Sequence, residues 1–344
     1  MRILAPWWRR ISIKPVTTAA AKPVPMSRAS LRAELFHPRY WLTWVGFFLW
    51  YGLALLPYRL QYHLGRGLGW LLYRLAKRRR QIARCNLDLC FPDWPASKRE
   101  AMTREVMASV GIAFFETGMA WFWPKWRLQR LYTVEGLEHL RSAQADGVGV
   151  ILMAFHFTHI DIGAKLLGLS FSIDGTYRPH NNPVYDYIQR SGRERHSIEG
   201  QAIPRDDVRG MVKALRNGRA IWYAPDQDYG PKHSIFVPLF GIPAATVTAT
   251  GQLARLGKAR VIAFTQTRRA DLGGYHLKVY PPLEDFPSAD EAADTLRINR
   301  FVEARISEQP GQYLWVHRRF KTRPAGEPDL YAQAGVAGRK RDSH

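Results

Sequence analysis

The feature that most restricts the fold is an alternation of apolar runs and helix-length segments that begins at Gly147. The run GVGVILMAF, residues 147–155, is continuously apolar, which is typical of a strand covered on both faces of its sheet. The predicted helices that follow span 159–169, 182–195, 206–217, 246–256 and 289–308. Because strand-like segments alternate with these helices, the sequence predicts an α/β fold, with a mixed sheet flanked by helices.

The N-terminal segment differs from the rest of the chain in composition. Residues 1–33 contain no Asp or Glu but several Arg and Lys, with a stretch rich in Ala, Pro and Ser. A transit peptide has this composition. A second interpretation, which we favour, is that translation begins at Met26. We therefore expect 1–33 to be a basic disordered or mis-started N-terminus.

An uncharged segment, residues 40–58, lies between Arg39 and Arg59. A helix rises about 1.5 Å per residue, so this segment could just cross a hydrocarbon core about 30 Å thick. Because it is apolar on all sides, we expect a membrane helix over 40–58 rather than a helix lying flat in the interface. A buried core helix is the alternative.

The net charge of +21 indicates an acidic partner, which could be nucleic acid, anionic lipid or an acidic carrier protein. Twelve Trp residues in so basic a chain favour a membrane interface over nucleic acid. The two cysteines, Cys85 and Cys90, have a spacing that fits no common zinc site and are too few for a disulfide scaffold. We expect both to be reduced and structural.

The segment FHFTHID, residues 155–161, places two histidines and a carboxylate directly after the apolar run. If His156 lies in the strand-to-helix turn and Asp161 in the first helical turn, the carboxylate can orient the ring and make it a general base. A hydrogen-bonded core histidine beside a helix cap is the alternative. A metal site that also uses His159 has the wrong spacing for the zinc hydrolases, and the G-x-S-x-G motif of nucleophilic hydrolases is absent.

Three further polar clusters interrupt apolar surroundings downstream. They are Tyr177 and Arg178 in TYRP, Arg190, Arg193 and Arg195 in IQRSGRER, and Asp226, Gln227 and Asp228 in YAPDQDYG. Arginine clusters suit phosphate groups, although a solvated helix face is the alternative for Arg190–Arg195. The stretch FVPLFGIPAATVT is predicted to be a rigid loop that leads into a helix; its apolar character would suit an acyl chain or a core.

Together these blocks resemble a known family. The H-x4-D spacing, TYRP, YAPDQDYG, FVPLFG and QYLWVHRRFKTRP, with the earlier HPRYWLTW and NLDLCFPDW, occur in the order found in bacterial lipid A biosynthesis acyltransferases of the lauroyl type. These belong to the lysophospholipid acyltransferase superfamily. The resemblance runs from about His37 to Pro324, and the order of the blocks is more specific than H-x4-D alone.

The resemblance implies a glycerol-3-phosphate acyltransferase-like fold and an acyl carrier protein-dependent O-acyltransferase. Such an enzyme moves a laurate-like chain from acyl carrier protein to a 3-hydroxyacyl hydroxyl of the Kdo-lipid A precursor. The catalytic pair falls on His156 and Asp161, where many members have Glu in place of the Asp. Substrate-binding positions fall on Tyr177, Arg178, Arg190, Arg193, Asp226, Gln227 and Asp228. Because the thioester is already activated, we expect neither a metal nor a cofactor.

The implied organisation is a membrane helix, an acyltransferase domain over 59–324 and a disordered tail over 325–344. The protein is expected at the bacterial inner membrane, single-pass or monotopic, with its catalytic domain facing the cytoplasm. Its expected partners are acyl carrier protein, the lipid A precursor and the anionic inner membrane, with no nucleic acid. An acyltransferase for another membrane lipid, such as a glycerolipid or an ornithine lipid, and a non-catalytic lipid-binding protein of the same fold are the alternatives.

Overall fold

A seven-stranded mixed sheet forms the centre of the protein, in a computed structural model that describes residues 30–336. The strands of the described residues are β1 Tyr132–Glu135, β2 Val150–Met153, β3 Ile173–Tyr177, β4 Ala202–Pro204, β5 Ala220–Tyr223, β6 Ser234–Leu239, β7 Ile242–Val247, β8 Arg260–Arg268 and β9 Tyr275–Pro282. All but β6 and β7 belong to this sheet, and those two pair only with each other. The sheet order is β1-β9-β8-β2-β5-β3-β4, and only β8 and β9 pair antiparallel. The predicted mixed α/β fold is therefore confirmed.

Helices cover both faces of this sheet. The helices of the described residues are α1 Trp41–Ala54, α2 Tyr58–Leu75, α3 Lys77–Cys90, α4 Ala96–Phe122, α5 Lys125–Leu128, α6 Leu137–Ala145, α7 Ile160–Gly168, α8 Pro183–Glu194, α9 Val208–Arg216, α10 Ala249–Gly257, α11 Glu291–Glu308 and α12 Leu330–Gln333. On β2, Val150 and Leu152 pack with α6, α7 and α8, whereas Ile151 and Met153 pack with α9, α10 and α11. This alternation matches the apolar run of the sequence, since a strand covered on both faces has no polar side.

The predicted continuous helix over 40–58 is wrong. Helix α1 ends at Ala54, and α2 begins at Tyr58 after a turn that contains Pro57. Proline disfavours helical geometry in the residue before it, which accounts for the break. With 14 residues, α1 is about 21 Å long, shorter than a hydrocarbon core of about 30 Å. Among residues 30–336, none of the helices combines the length and the apolar character needed to cross a membrane.

Two other segments differ from the sequence prediction. FVPLFGIPAATVT is a β-hairpin of β6 and β7 rather than a loop, and its turn residues Phe240 and Gly241 have positive φ angles of 51° and 76°. Part of the predicted disordered tail is folded, because Tyr331 of α12 is fully buried and its hydroxyl donates to Asn86 Oδ1 at 2.6 Å. Residues 1–29, with the proposed start at Met26, and 337–344 lie outside the described residues.

Candidate active site

Two neighbouring strands place His156 beside Asp226. In the register of β2 and β5, Met153 lies opposite Tyr223, and both are the last residues of their strands. His156 and Asp226 each follow three residues later. Since β2 and β5 are parallel and hydrogen-bonded, both side chains lie at the carboxyl edge of the sheet, where ligands bind in open α/β folds.

Asp226 holds the His156 ring through a short hydrogen bond. His156 Nδ1 lies 2.6 Å from Asp226 Oδ1, and the His156 backbone N–H donates to Asp226 Oδ2 at 2.8 Å. The Tyr313 hydroxyl donates to the same Oδ2 at 2.9 Å. Burial acts to raise the pKa of Asp226, but the His156 ring and these donors lower it below its ordinary value on balance. An ionised Asp226 keeps the proton of neutral His156 on Nδ1, which leaves Nε2 as the acceptor.

Asp161 pairs with a different residue from the one predicted. Arg193 of α8 donates to Asp161 Oδ1 at 2.9 Å. The predicted contact between Asp161 and His156 does not form. Nδ1 of His156 is hydrogen-bonded to Asp226 instead, and Asp161 points from the first turn of α7 towards α8. Asp161 and His156 nevertheless line the same cavity.

This cavity, of about 910 Å³, is within the size range of small-molecule sites. Its polar lining includes His156, Asp161, Lys165, Tyr177, Arg178 and Arg193. Its apolar lining includes Trp121, Met211, Trp222, Val247, Leu253 and Leu256. A cavity with both kinds of lining suits a ligand that combines an anionic or polar group with hydrocarbon.

Of the predicted substrate-binding residues, Tyr177, Arg178 and Arg193 line the cavity and the others do not. A terminal guanidinium nitrogen of Arg190 lies 3.7 Å from Glu194 Oε1 on the same helix. Gln227 lines a separate space of about 10 Å³ behind His156.

Asp228 and Asp226 are tied into the protein rather than exposed to the cavity. Asp228 is 2% exposed and accepts hydrogen bonds from both the backbone N–H and the hydroxyl of Thr322 at 2.8 Å. It therefore fastens the loop after β5 to the C-terminal segment. Asp226 is equally buried and contacts His156. The sequence predicts that Asp226 binds substrate, whereas the structure places it behind His156.

The second histidine of the FHFTHID segment is part of the core. His159 is 1% exposed, and its Nε2 lies 3.0 Å from the Gln266 carbonyl oxygen. Burial lowers the pKa of His159 to about 4, so the ring is neutral near pH 7 and Nε2 donates to that carbonyl. This position suits packing beneath the active-site turn.

Lys165 is a cavity residue that the sequence analysis missed. It is 6% exposed, and its Nζ donates to the Arg193 and Arg195 carbonyl oxygens at the C-terminal end of α8. Burial, together with the nearby Arg195 cation, lowers the pKa of Lys165 to about 7. A signal was available in the sequence, because Lys165 follows Asp161 by four residues and therefore shares its face of α7.

Comparisons with known proteins identify the family of this chain. A family model described as bacterial lipid A biosynthesis acyltransferase matches residues 29–322. The chain belongs to the bacterial lipid A biosynthesis acyltransferase family.

Its relatives include three enzymes of Escherichia coli (strain K12). The lipid A biosynthesis lauroyltransferase is 46% identical over 299 residues, which cover 86% of this chain and 97% of that protein. The palmitoleoyltransferase is 44% identical over 299 residues, 87% of this chain and 97% of its own length. The myristoyltransferase is 31% identical over 297 residues, which cover 86% of this chain and 91% of that protein.

Proposed function

We propose that this protein transfers a fatty acyl chain from acyl carrier protein to a 3-hydroxyacyl hydroxyl of the Kdo-lipid A precursor. The observation that carries the proposal is the position of His156, which faces the cavity with its Nδ1 held by the buried carboxylate of Asp226. The named activities of the relatives, lauroyl, palmitoleoyl and myristoyl transfer in lipid A biosynthesis, support this substrate class. Because lauroyl and palmitoleoyl relatives are 46% and 44% identical, identity does not select the acyl length.

His156 acts as the general base in this mechanism. Its Nε2 accepts the proton of the acceptor hydroxyl as the oxygen attacks the thioester carbonyl, and the proton then goes to the leaving thiolate. A positioned base contributes about 10²- to 10⁴-fold to such a step. Asp226 stabilises the imidazolium that forms, because it is already ionised and hydrogen-bonded to Nδ1.

The negative charge that develops on the thioester oxygen requires hydrogen-bond donors near His156. The Phe157 and Thr158 amides already donate, to the Phe155 and Gln312 carbonyl oxygens, each at 2.8 Å. The Ile160 amide also donates, to the Phe157 carbonyl oxygen at 3.1 Å, so the His159 and Asp161 amides are the remaining donors in this segment. A helix N-terminus favours negative charge, so we assign the oxyanion to this end of α7.

Arg193 and Arg178 bind the anionic groups of the acceptor in this proposal. Both line the cavity, and guanidinium groups bind phosphate through paired hydrogen bonds. Asp161 then acts by fixing Arg193, to which it is bonded at 2.9 Å, rather than by orienting His156. Replacing Asp161 should therefore chiefly raise the KM for the acceptor, because it releases Arg193.

Helix α1 places the protein on the membrane surface in a monotopic arrangement. Its exposed apolar residues include Trp41, Leu42, Phe48 and Leu49, of which Leu42 is 84% exposed. Opposite this surface, Phe47 packs on Tyr185 of α8 with ring centroids 5.5 Å apart. A lipid-facing α1 therefore brings α8 and Arg193 close to the membrane, on the cytoplasmic side where acyl carrier protein is found.

Replacing Phe48 by Ser is expected to weaken binding to anionic vesicles by about tenfold, because a buried Phe side chain contributes about 1.5–3 kcal/mol. Phe236→Ser on β6 is the matched control, since Phe236 is also exposed but lies outside α1. Vesicle sedimentation measures both variants. Equal binding by the wild-type protein and Phe48→Ser would contradict the role of α1.

The function itself is tested by mass spectrometry of lipid A from cells that lack this protein. We expect one acyl mass to be missing, to return with the wild-type gene, and to stay missing with His156→Ala. His156→Ala should remain folded, because Asp226 keeps its hydrogen bonds from the backbone N–H of residue 156 and from the Tyr313 hydroxyl; circular dichroism checks this. An unchanged lipid A spectrum in the deletion strain would contradict the proposal and favour another lipid acceptor.

A further inference from the structure

Helices α9 and α10 form a basic surface on the face of the sheet opposite α7 and α8. Its exposed cations are Arg209, Lys213 and Arg216 of α9, Arg255 of α10 and Lys258 directly after α10. Neither helix contains an Asp or a Glu. Arg216 Nε donates to the Leu256 carbonyl oxygen at 2.9 Å, which joins the two helices into one surface, named here the α9–α10 surface.

The α9–α10 surface surrounds an entrance to the cavity that contains His156. Val208 and Leu256 line the cavity and are 49% and 50% exposed, so the cavity opens between the two helices. Behind them, Met211 and Leu253 also line the cavity but are 2% and 5% exposed. Asp206 also lines the cavity beside Val208 and lies 3.5 Å from Arg205, so the cations on α9 and α10 are the unbalanced charges of the rim. A chain that enters here passes from this rim into an interior lined by Met211 and Leu253.

The chemistry of this surface suits an acidic protein better than a bilayer. Helices α9 and α10 contain no aromatic residue, whereas α1 exposes Trp41 and Phe48. Membrane interfaces favour Trp and Tyr, while a cationic rim around a small apolar patch is typical of docking to an acidic partner. Among residues 30–336, neither Arg209 nor Lys213 pairs with a carboxylate, so both are available to such a partner.

We propose that the α9–α10 surface docks the acidic carrier protein, whose thioester-bearing arm enters the cavity between Val208 and Leu256. This inference rests on the proposed function and adds the direction of substrate entry. The donor arrives on the α9–α10 face of the sheet, and the acceptor arrives along the face that carries α1 and α8. His156 lies where the two routes meet.

The test compares two donors for the double variant Arg209→Glu/Lys213→Glu. One donor is the acyl group on the carrier protein, and the other is the same acyl group on free pantetheine. We expect the KM for the carrier-linked donor to rise about tenfold, with kcat unchanged, because rim charges act mainly on association. The KM for acyl-pantetheine should stay at the wild-type value.

The matched control is Arg130→Glu/Arg141→Glu, which makes the same change in net charge at exposed positions before β1 and on α6. We expect this control to keep the wild-type KM for both donors. Raising the salt concentration should weaken carrier binding by the wild-type protein and affect Arg209→Glu/Lys213→Glu less, because salt screens exposed charges. Circular dichroism confirms that both double variants are folded.

Carrier binding in the absence of transfer separates this inference from the proposed function. If the wild-type protein transfers no acyl group from the carrier, the proposed function is wrong. If Arg209→Glu/Lys213→Glu binds the carrier as tightly as the wild-type protein, the docking surface is wrong. If Arg209→Glu/Lys213→Glu loses binding to vesicles but keeps binding to the carrier, the surface contacts lipid, which would also overturn the inference.

Discussion

Replacing Asp226 by Asn is expected to lower the rate of acyl transfer by about 10³-fold or more, because the substitution reverses the tautomer of His156. The Asp226 carboxylate accepts from both His156 Nδ1 and the His156 backbone N–H. If the substituted amide turns its oxygen to the backbone N–H, its NH2 group faces Nδ1 and moves the ring proton to Nε2. A protonated Nε2 cannot accept the proton of the hydroxyl. Single-turnover transfer of a radiolabelled acyl group measures the rate.

The opposite orientation of the amide does not restore the base. Its NH2 group would then face two other donors, the His156 backbone N–H and the Tyr313 hydroxyl, in a site where Asp226 is 2% exposed. Tyr313→Phe is the control, because it removes one donor to Asp226 but keeps the bond to Nδ1. We expect Tyr313→Phe to retain most of the activity.

Replacing Arg268 by Met is expected to lower the free energy of unfolding by about 3–5 kcal/mol, because it leaves Glu116 buried without a counter-charge. Arg268 Nε and one of its terminal nitrogens each donate to Glu116 at 2.8 Å, and Glu116 is 1% exposed. Burial acts to raise the pKa of Glu116, but the Arg268 charge lowers it below its ordinary value on balance. Chemical denaturation followed by circular dichroism measures the loss.

This ion pair also supports the active-site turn. A terminal nitrogen of Arg268 donates to Ser109 Oγ at 3.1 Å, and Ser109 Oγ lies 2.7 Å from Thr158 Oγ1, two residues after His156. Adding Glu116→Gln to Arg268→Met should recover much of the lost stability, since no buried charge remains.

Arg66→Met is the exposed control for the buried pair. Arg66 pairs with Glu105 at 3.1 Å, and the two side chains are 43% and 45% exposed. Exposed pairs contribute about 0–1 kcal/mol. An Arg268→Met loss no larger than that of Arg66→Met would contradict the stabilising role of the buried pair.

The sheet and its helices could largely be predicted from the sequence, because buried strands are short apolar runs bounded by polar residues. The predicted helix over 159–169 corresponds to Ile160–Gly168, and that over 182–195 to Pro183–Glu194. The polar residues after β2 and β5 were both recognised. Their contact was missed because β3 and β4 separate the two strands in sequence, whereas β5 lies directly beside β2 in the sheet.

Other features depend on contacts that a local pattern does not contain. Arg268 and Glu116 are 152 positions apart, and nothing near Glu116 in the sequence distinguishes it from an exposed acid of an amphipathic helix. The pairing of Asp161 with Arg193 likewise depends on how α7 and α8 pack. The β6–β7 hairpin was recognisable in principle, because Gly241 supplies the positive φ that a two-residue turn requires.

The central question is which carboxylate orients His156, and the most direct measurement is the ratio of kcat for Asp226→Asn to kcat for Asp161→Asn. Both variants are assayed with the acyl carrier donor and the lipid A precursor at saturating concentrations. Because Asp226 contacts Nδ1 at 2.6 Å, whereas Asp161 contacts Arg193 and should leave kcat near the wild-type value, we expect the ratio to be about 10⁻³ or lower. A ratio of one or more would contradict the assignment of Asp226 as the residue that orients the base.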